Sequence, residues 1–323
     1  MITTRKYDDN DKILWDEFVA STKNATFLFY RDFMEYHKDR FVDHSLLCFN
    51  NGKLVAILPA NINKNIVYSH QGLTYGGVVI QAKTKFEEYV LIFESILKFL
   101  EDNKVYQLFI KELPQIYCEG PSYELEYIQF LLGAKISKIE ISSTIQINKK
   151  VPFSNNRKEG VRRGVKNKLR IIEAEKLDSF WNKILSPNLL NKHNTKPVHG
   201  LEEINFLKNN FPKSIRQFDV YNDNKIVAGA TIFETDKVAH SQYISGNNDK
   251  NKLGSLDFLH HYLISEVFRD KPFFDLGTST LDGGKIINKG LLSWKEGFGA
   301  RATTYKTYSI ETKNYQKLSK VFI

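Results

Sequence analysis

Cysteine and methionine are scarce in these 323 residues, with two of each, and tryptophan occurs three times. So few thiols exclude a disulfide framework. Cys48 and Cys118 lie in apolar surroundings without metal-like spacing, which predicts buried free thiols. No metal site is expected, since His260 and His261 fall side by side in a helical pattern rather than at a ligand spacing. Long hydrophobic runs are also missing. None approaches the roughly 18 residues that cross a bilayer, and the start MITTRKYDDNDK has no signal-peptide core. A cytoplasmic protein with no membrane insertion is expected. Low-complexity tracts are lacking too, and 42% hydrophobic with 13% aromatic residues argues against disorder.

Acidic residues are outnumbered, 37 against 46 Lys and Arg, for a formal charge of +9. That balance suits anionic partners such as nucleotides, coenzyme A, RNA or an acidic membrane surface without choosing among them. Much of it is local: Lys149, Lys150, Arg157, Lys158, Arg162, Arg163, Lys166, Lys168 and Arg170. Such a run is either a solvated connector or a phosphate-binding face. It lacks the interleaved aromatics of a single-strand nucleic-acid platform.

The length suits two domains of about 150 residues each. The pattern of elements occurs twice. In the first half, residues 9–20 place Leu14, Trp15, Phe18 and Val19 on one helical face, and a second helical segment covers 30–37. Strands at 45–49 and 53–60 flank Asn50, Asn51 and Gly52, a hairpin signature. A strand at 65–70 leads into Gln71 to Gly77, then a helix over 86–100, a strand at 106–110, a short helix at 123–132 and a strand at 138–147. The second half repeats this order from a hairpin at 218–233. Asn50, Lys53, Leu54, Val55 and Ala56 correspond in order to Asn222, Lys225, Ile226, Val227 and Ala228, and Gly133-Ala134 corresponds to Gly299-Ala300. One α/β fold is used twice. The boundary falls near 148–156, where Lys149, Lys150, Pro152, Asn155 and Asn156 interrupt regular structure, giving domains 1–150 and 151–323.

The stretch from His240 to Ala300 carries the leading site. A strand at 239–245 enters a loop of Gly, Asn, Asp and Lys; a helix with Leu256, Leu259, Leu263 and Ile264 on one side leaves it, and a strand at 273–276 ends in Gly277. Strand, polar loop and helix together offer backbone N–H groups and a positive dipole end to an anion.

These residues resemble the GCN5-related N-acetyltransferase (GNAT) fold, and the duplication resembles its tandem, FemAB-like branch. The run Asn288, Gly290, Leu291, Lys295, Phe298, Gly299, Ala300 is similar to the helix-to-last-strand segment there, and Phe274, Asp275, Leu276, Gly277 and Ser279 to the strand before it. The resemblance implies an α/β (α+β) architecture of two tandem GNAT-like domains, each a mixed, mostly antiparallel sheet flanked by helices. It implies an N-acyltransferase moving an acyl group from acyl-CoA, a co-substrate rather than a tightly bound cofactor, to the amine of a nucleotide-linked (dTDP-type) amino sugar in O-antigen or capsule biosynthesis. Two alternatives stand beside it. One is an aminoacyl-tRNA-dependent FemAB-type transferase that builds peptidoglycan bridges, with tRNA as a partner; under the main reading no nucleic acid is expected. The other is a non-catalytic acyl-CoA, nucleotide or RNA-binding module. The phosphate loop, with Asn251, Gly254 and Leu256, matches the superfamily pattern in part, and Lys295 stands where many members carry a proton-donating Tyr.

Acyl transfer to an amine requires a neutral amine, a polarised carbonyl and a tolerated leaving group. The resemblance places carbonyl polarisation at the backbone of Tyr243, Ile244 and Ser245, where the fourth strand splays from the fifth. It places the donor's pyrophosphate at Lys250, Asn251, Lys252, Leu253, Gly254 and Ser255, with Asn288 beside the donor. His199 is the chosen base because imidazole titrates near neutrality, and His193 competes with it; a solvated loop histidine is the alternative reading of either. His240, on a strand, reads as packed or hydrogen-bonded. Lys295 could meet a phosphate or assist the leaving group, or be solvated at a helix end. Asp275 and Ser279, at a strand's C-terminal end, could orient the acceptor. In the first half Ser69, His70, Gln71, Tyr75 and Gly76 occupy the corresponding strand exit and line the acceptor cleft, unless the first domain only buttresses the second.

Overall fold

A computed structural model describes residues 1–149 and 151–323. Lys150 lies outside the described residues, as does the side chain of His193. The chain divides into two compact units, one of residues 1–140 and 304–323, the other of residues 141–303. This differs from the expected 1–150 and 151–323 because the long last strand of each repeat starts in one unit and pairs in the other.

The first unit opens with β1 (Ile2–Lys6), α1 (Lys12–Ala20) and α2 (Arg31–Met34). Six short strands follow: β2 (Val42–Asp43), β3 (Leu46–Asn50), β4 (Lys53–Leu58), β5 (Asn61–Asn63), β6 (Ile66–Tyr68) and β7 (Val79–Ile80). Then come α3 (Phe86–Asp102), β8 (Gln107–Lys111), α4 (Glu124–Leu132) and β9 (Lys135–Gln146). α3 forms because Tyr89, Val90, Ile92, Phe93, Ile96, Leu97 and Leu100 recur at three- and four-residue steps. All are buried in the core of this unit, and Glu87 and Glu88 in the first turn complement the helix dipole. Cys48 and Cys118 are buried free thiols.

In the second unit the later residues of β9 precede α5 (Asn155–Lys166), β10 (Arg170–Ala174), and α6 (Asp178–Phe180), which runs through a π turn at Trp181–Leu185 into α7 (Ser186–His193). α8 (Leu201–Asn210), β11 (Ile215–Asn222), β12 (Lys225–Glu234) and β13 (Val238–Gly246) follow. The chain continues through α9 (Lys250–Leu253), α10 (Ser255–Tyr262), β14 (Phe273–Thr278), the hairpin of β15 (Thr280–Leu281) and β16 (Ile286–Ile287), α11 (Lys289–Glu296) and β17 (Arg301–Glu311). The sheet of this unit runs β10, β11, β12, β13, β14, β9, with only β13 and β14 parallel. The last residues of β17 pair with β8 of the first unit's sheet.

The repeat extends to the register of its hairpins. Asn50 faces Lys53, Phe49 faces Leu54 and Cys48 faces Ala56, with a break between Cys48 and Phe49. Asn222 faces Lys225, Tyr221 faces Ile226 and Val220 faces Ala228, with the same break between Val220 and Tyr221. Val55 and Val227 are therefore equivalent bulged residues. Gly133 and Gly299 both take positive φ, 65° and 87°, just before β9 and β17.

Residues 155–166 of the basic segment are not a solvated connector: they form α5, whose Gly160 and Gly164 are buried and lie against α10. A Cβ on Gly160 would come 2.5 Å from Cγ of Asp257, and one on Gly164 would come 2.6 Å from Cβ of Phe258. Arg157 pairs with Asp257, to which Trp294 also donates at 2.9 Å. Lys158, Arg162 and Lys166 remain on the exposed side. Among the described residues no helix is long and apolar enough to cross a membrane.

Candidate functional site

β13 and β14 pair over three residues: Val238 with Phe273, Ala239 with Phe274 and His240 with Asp275. Neither strand ends there. β13 continues to Gly246 on β12, and β14 continues to Thr278 beside Ser142 of β9. The β12–β13 ladder shifts between Thr231 and Ile232, which makes Gln242 an extra residue on β13, and a bulge bends its strand. The strands diverge and leave a slot whose inner edges carry backbone donors and acceptors without a neighbouring strand.

The β13 side of the slot borders a cavity of about 400 Å³. Ile244, Ser245 and Gly246 form one edge. Leu185, Asn188, Leu189 and Lys192 face it at helical spacing, and Leu256, Leu291 and Trp294 close it, with Lys250 and Asn288 at its wall. Asn188 donates to the Ser245 hydroxyl and the Gly246 carbonyl, both at 2.8 Å, and so fixes the strand end. Asn288 caps α11 by accepting from the N–H of Leu291 at 3.0 Å. Burial, and then the neighbouring Lys192, lower the pKa of the Lys250 amine. Among the described residues neither lysine has a carboxylate partner. Two adjacent ammonium groups beside an apolar wall suit a ligand with an anionic end and an extended apolar or neutral arm.

Strand alternation separates the two faces of the sheet. Ala239, Phe274, Leu276 and Ile145 enter the core with Leu259, Leu263 and Ile264. Asp275 therefore points the other way, fully buried, and accepts from the hydroxyls of Ser142 at 2.6 Å and Thr144 at 3.0 Å. Its second oxygen lies 2.8 Å from Nδ1 of His240. The Lys295 ammonium is buried and donates to the carbonyls of Gly277 and Thr278 at 2.8 and 2.7 Å; burial pulls its pKa down to about 8, against the opposing pull of Asp275.

Of the residues expected at the donor, Ile244, Ser245, Lys250 and Asn288 meet at this cavity. Asn251 and Lys252 are exposed outside it, and Leu253 packs on the core. Gly254, with φ of 69°, packs its Cα face on α5, the Gly160 carbonyl carbon lying 2.9 Å from where a Cβ would sit. Ser255 is buried. His199 and Tyr243 are brought to each other instead of to the cavity: Nδ1 of His199 lies 2.6 Å from the Tyr243 hydroxyl, which burial pushes up to about 12. Lys295 and Asp275 hold the β14 end from within. Ser279 is buried, donates its N–H to Ile141 at 2.9 Å and has no partner for its hydroxyl.

The corresponding opening in the first unit is closed. β6 and β8 pair in parallel over Ile66–Tyr68 and Gln107–Phe109, as β13 and β14 do. Beyond them the Gly76 N–H donates to Lys111 at 2.7 Å, and the Lys111 ammonium bonds the carbonyls of Gln71 and Leu73 at 2.9 and 2.8 Å. Gln71 exchanges two hydrogen bonds with Asn61, and the Tyr75 hydroxyl bonds Thr26. His70 stacks on His37, and burial drives its pKa down to about 3. Around the expected acceptor residues His70, Gln71 and Tyr75 the loop's own polar groups thus pair with one another, and His70 lines a cavity of about 140 Å³ with Arg31, His37 and Phe41. Asn188, Lys192 and Trp294 were not among the expected site residues; Asp275 was, but its pairing with His240 was not. The spacing of Leu185, Asn188, Leu189 and Lys192 carried a helical signal for the first two; the pair depends on a parallel register that no local pattern fixes.

No family model and no curated protein matches the sequence. Solved structures do match. FemX aligns over 98% of this chain and 99% of its own at 11% identity, with a TM-score of 0.67. L-PGS from Bacillus licheniformis aligns over 98% and 95% at 10% identity with a TM-score of 0.61. A tandem GNAT protein from the clavulanic acid biosynthesis pathway aligns over 97% and 99% at 9% identity with a TM-score of 0.51. At these identities the likeness is one of fold, and it agrees with the doubled hairpin register and the diverging strands: the chain has the tandem GNAT fold, as in FemX.

Proposed function

We propose that the protein is an acyltransferase that forms an amide, with the second unit holding an activated acyl donor whose phosphate end meets Lys192 and Lys250. The observation that carries this reading is the slot between β13 and β14, open onto a cavity that joins an apolar wall to two ammonium groups without a carboxylate partner. Backbone N–H groups at the slot would polarise the donor's carbonyl. An aminoacyl-tRNA is the donor this arrangement favours. The helix start that would receive a coenzyme A pyrophosphate has α5 packed against it at Gly254, whereas a tRNA 3′ end needs only a narrow slot and lysines for its phosphates. The FemAB-type alternative to the acyl-CoA reading uses the same donor.

A second reading, transfer from acyl-CoA to a nucleotide-linked amino sugar, keeps support from the apolar wall of Leu185, Leu189, Leu291 and Trp294, which suits a pantetheine arm. One assay separates them. Protein is incubated with bulk charged tRNA or with a set of acyl-CoAs, each with a panel of primary amines, while ester loss and thiol release are followed. Amine-dependent deacylation of tRNA supports the first reading, amine-dependent thiol release supports the second, and neither across the panel rejects acyl transfer.

A further inference from the structure

The face of the sheet opposite α10 carries a group that the donor site leaves unused. His240 stands at the apex of the slot, in the last paired position before the strands part. Its Nδ1 is held by Asp275 at 2.8 Å. The carboxylate is itself fixed by Ser142 and Thr144 and sealed from solvent, so it can neither swing away nor be satisfied by water. The His240 side chain keeps 13% exposure, and its Nε2 makes no hydrogen bond among the described residues. Gly277 lies beside the ring, its Cβ position 3.6 Å from Cε1, an ordinary van der Waals distance, and its φ of 75° favours glycine. Two residues on, the buried Ser279 hydroxyl has no partner.

We infer that this is where a primary amine acceptor binds, and that His240 is its general base, with Asp275 as the positioning residue. The inference rests on the acyl-transfer reading above. Asp275 holds Nδ1 protonated and leaves Nε2 as the acceptor of a proton. The amine nitrogen attacks the acyl carbonyl and forms the C–N bond, and the proton that nitrogen must lose passes to Nε2. The ester C–O bond breaks, and the departing ribose oxygen takes that proton. The products are an amide, a free hydroxyl and neutral imidazole. The titratable groups facing His240 are Asp275 on β14, Lys295 on α11 through the Gly277 and Thr278 carbonyls, and His199, whose ring lies 6.1 Å from that of Phe233, the β12 partner of His240.

The test measures transfer from bulk charged tRNA to glycinamide by the full chain, its His240→Ala and His240→Gln variants, and Asp275→Asn. A positioned base contributes about 10²- to 10⁴-fold, so both His240 variants should lose at least about 100-fold in kcat while donor affinity is kept. Free imidazole should restore part of the His240→Ala rate, which a packing role would not allow. Asp275→Asn should shift the acid limb of the pH profile. The Gln variant preserves volume and an N–H toward Asp275, so it guards against loss of fold. A folded Gln variant within about threefold of wild type overturns the inference and leaves acyl transfer standing. A wild-type protein that transfers to no amine from any donor overturns both.

Discussion

Gly160→Ala tests whether α5 is a packed wall of the second unit or a solvated basic connector. On an exposed helix the change would be stabilising by about 0.5–1 kcal/mol, because alanine loses less backbone entropy. Here the new methyl meets Asp257, with Cγ at 2.5 Å and Cβ at 2.6 Å. A carboxylate oxygen could rotate aside, but Cβ is fixed to α10, so the helices must separate. Overpacking of this kind costs about 1–3 kcal/mol. Separation also strains the bonds from Arg157 and Trp294 to the same carboxylate, and hydrogen bonds to charged groups contribute about 1.5–3 kcal/mol each. Collision outweighs propensity, for a net loss near 2 kcal/mol. With a urea m-value of about 2 kcal/mol/M, the midpoint should fall by about 1 M. Urea unfolding followed by tryptophan fluorescence reads it, since Trp294 is bonded to Asp257. Gly120→Ala, with nothing within 4 Å of its Cβ position, is the control and should be neutral. A midpoint that rises for Gly160→Ala would refute the packed-wall account.

Lys295 predicts a pH dependence. Its native pKa of about 8 lies below the ordinary lysine value of 10.5, so between these values the unfolded chain binds more protons and stability rises with pH; below about 8 both states are protonated and the penalty is fully present. Lys295→Met should flatten the rise seen from pH 8 to 10.5 in thermal unfolding, and an unchanged slope would contradict the assignment. Lys111 adds a similar rise from the first unit, so the comparison is between variant and wild type. Lys192→Ala and Lys250→Ala should each weaken charged-tRNA binding and reduce the salt slope by about 1, as measured by filter binding from 50 to 200 mM salt. His199→Ala should destabilise the protein by about 1–3 kcal/mol through the lost Tyr243 contact while leaving the pH profile of transfer in place; a lost acid limb would return His199 to the role of base.

The parts of this molecule that were legible in the sequence are those set by local chemistry. Asn-Gly at 51–52 and the alternating residues around it fix a hairpin, and the matching residues at 222–228 disclose the repeat. The register break after Cys48 and Val220 follows once an extra valine sits in each strand. Ile244, Ser245 and Lys250, which the resemblance assigns to the donor, lie at the end of a strand and the start of a helix and line one cavity. The misplaced residues depend on what packs from far along the chain. Gly254 reads as a phosphate-loop glycine, yet its positive φ and missing Cβ serve a helix nearly a hundred residues earlier, and only the Gly160 carbonyl against it tells the two uses apart. Lys295 reads as a solvated helix-end lysine until two carbonyls of β14 are seen to accept from it. From sequence, His199 is the chosen base and His240 reads as packed or hydrogen-bonded on its strand. The structure gives the two rings different partners. The loop imidazole is buried against a tyrosine hydroxyl that burial keeps protonated, while the strand imidazole is oriented by a sealed carboxylate where the strands part. A base needs one nitrogen held and the other open, and of these two rings His240 is the one shown with a carboxylate on one nitrogen and no bond on the other.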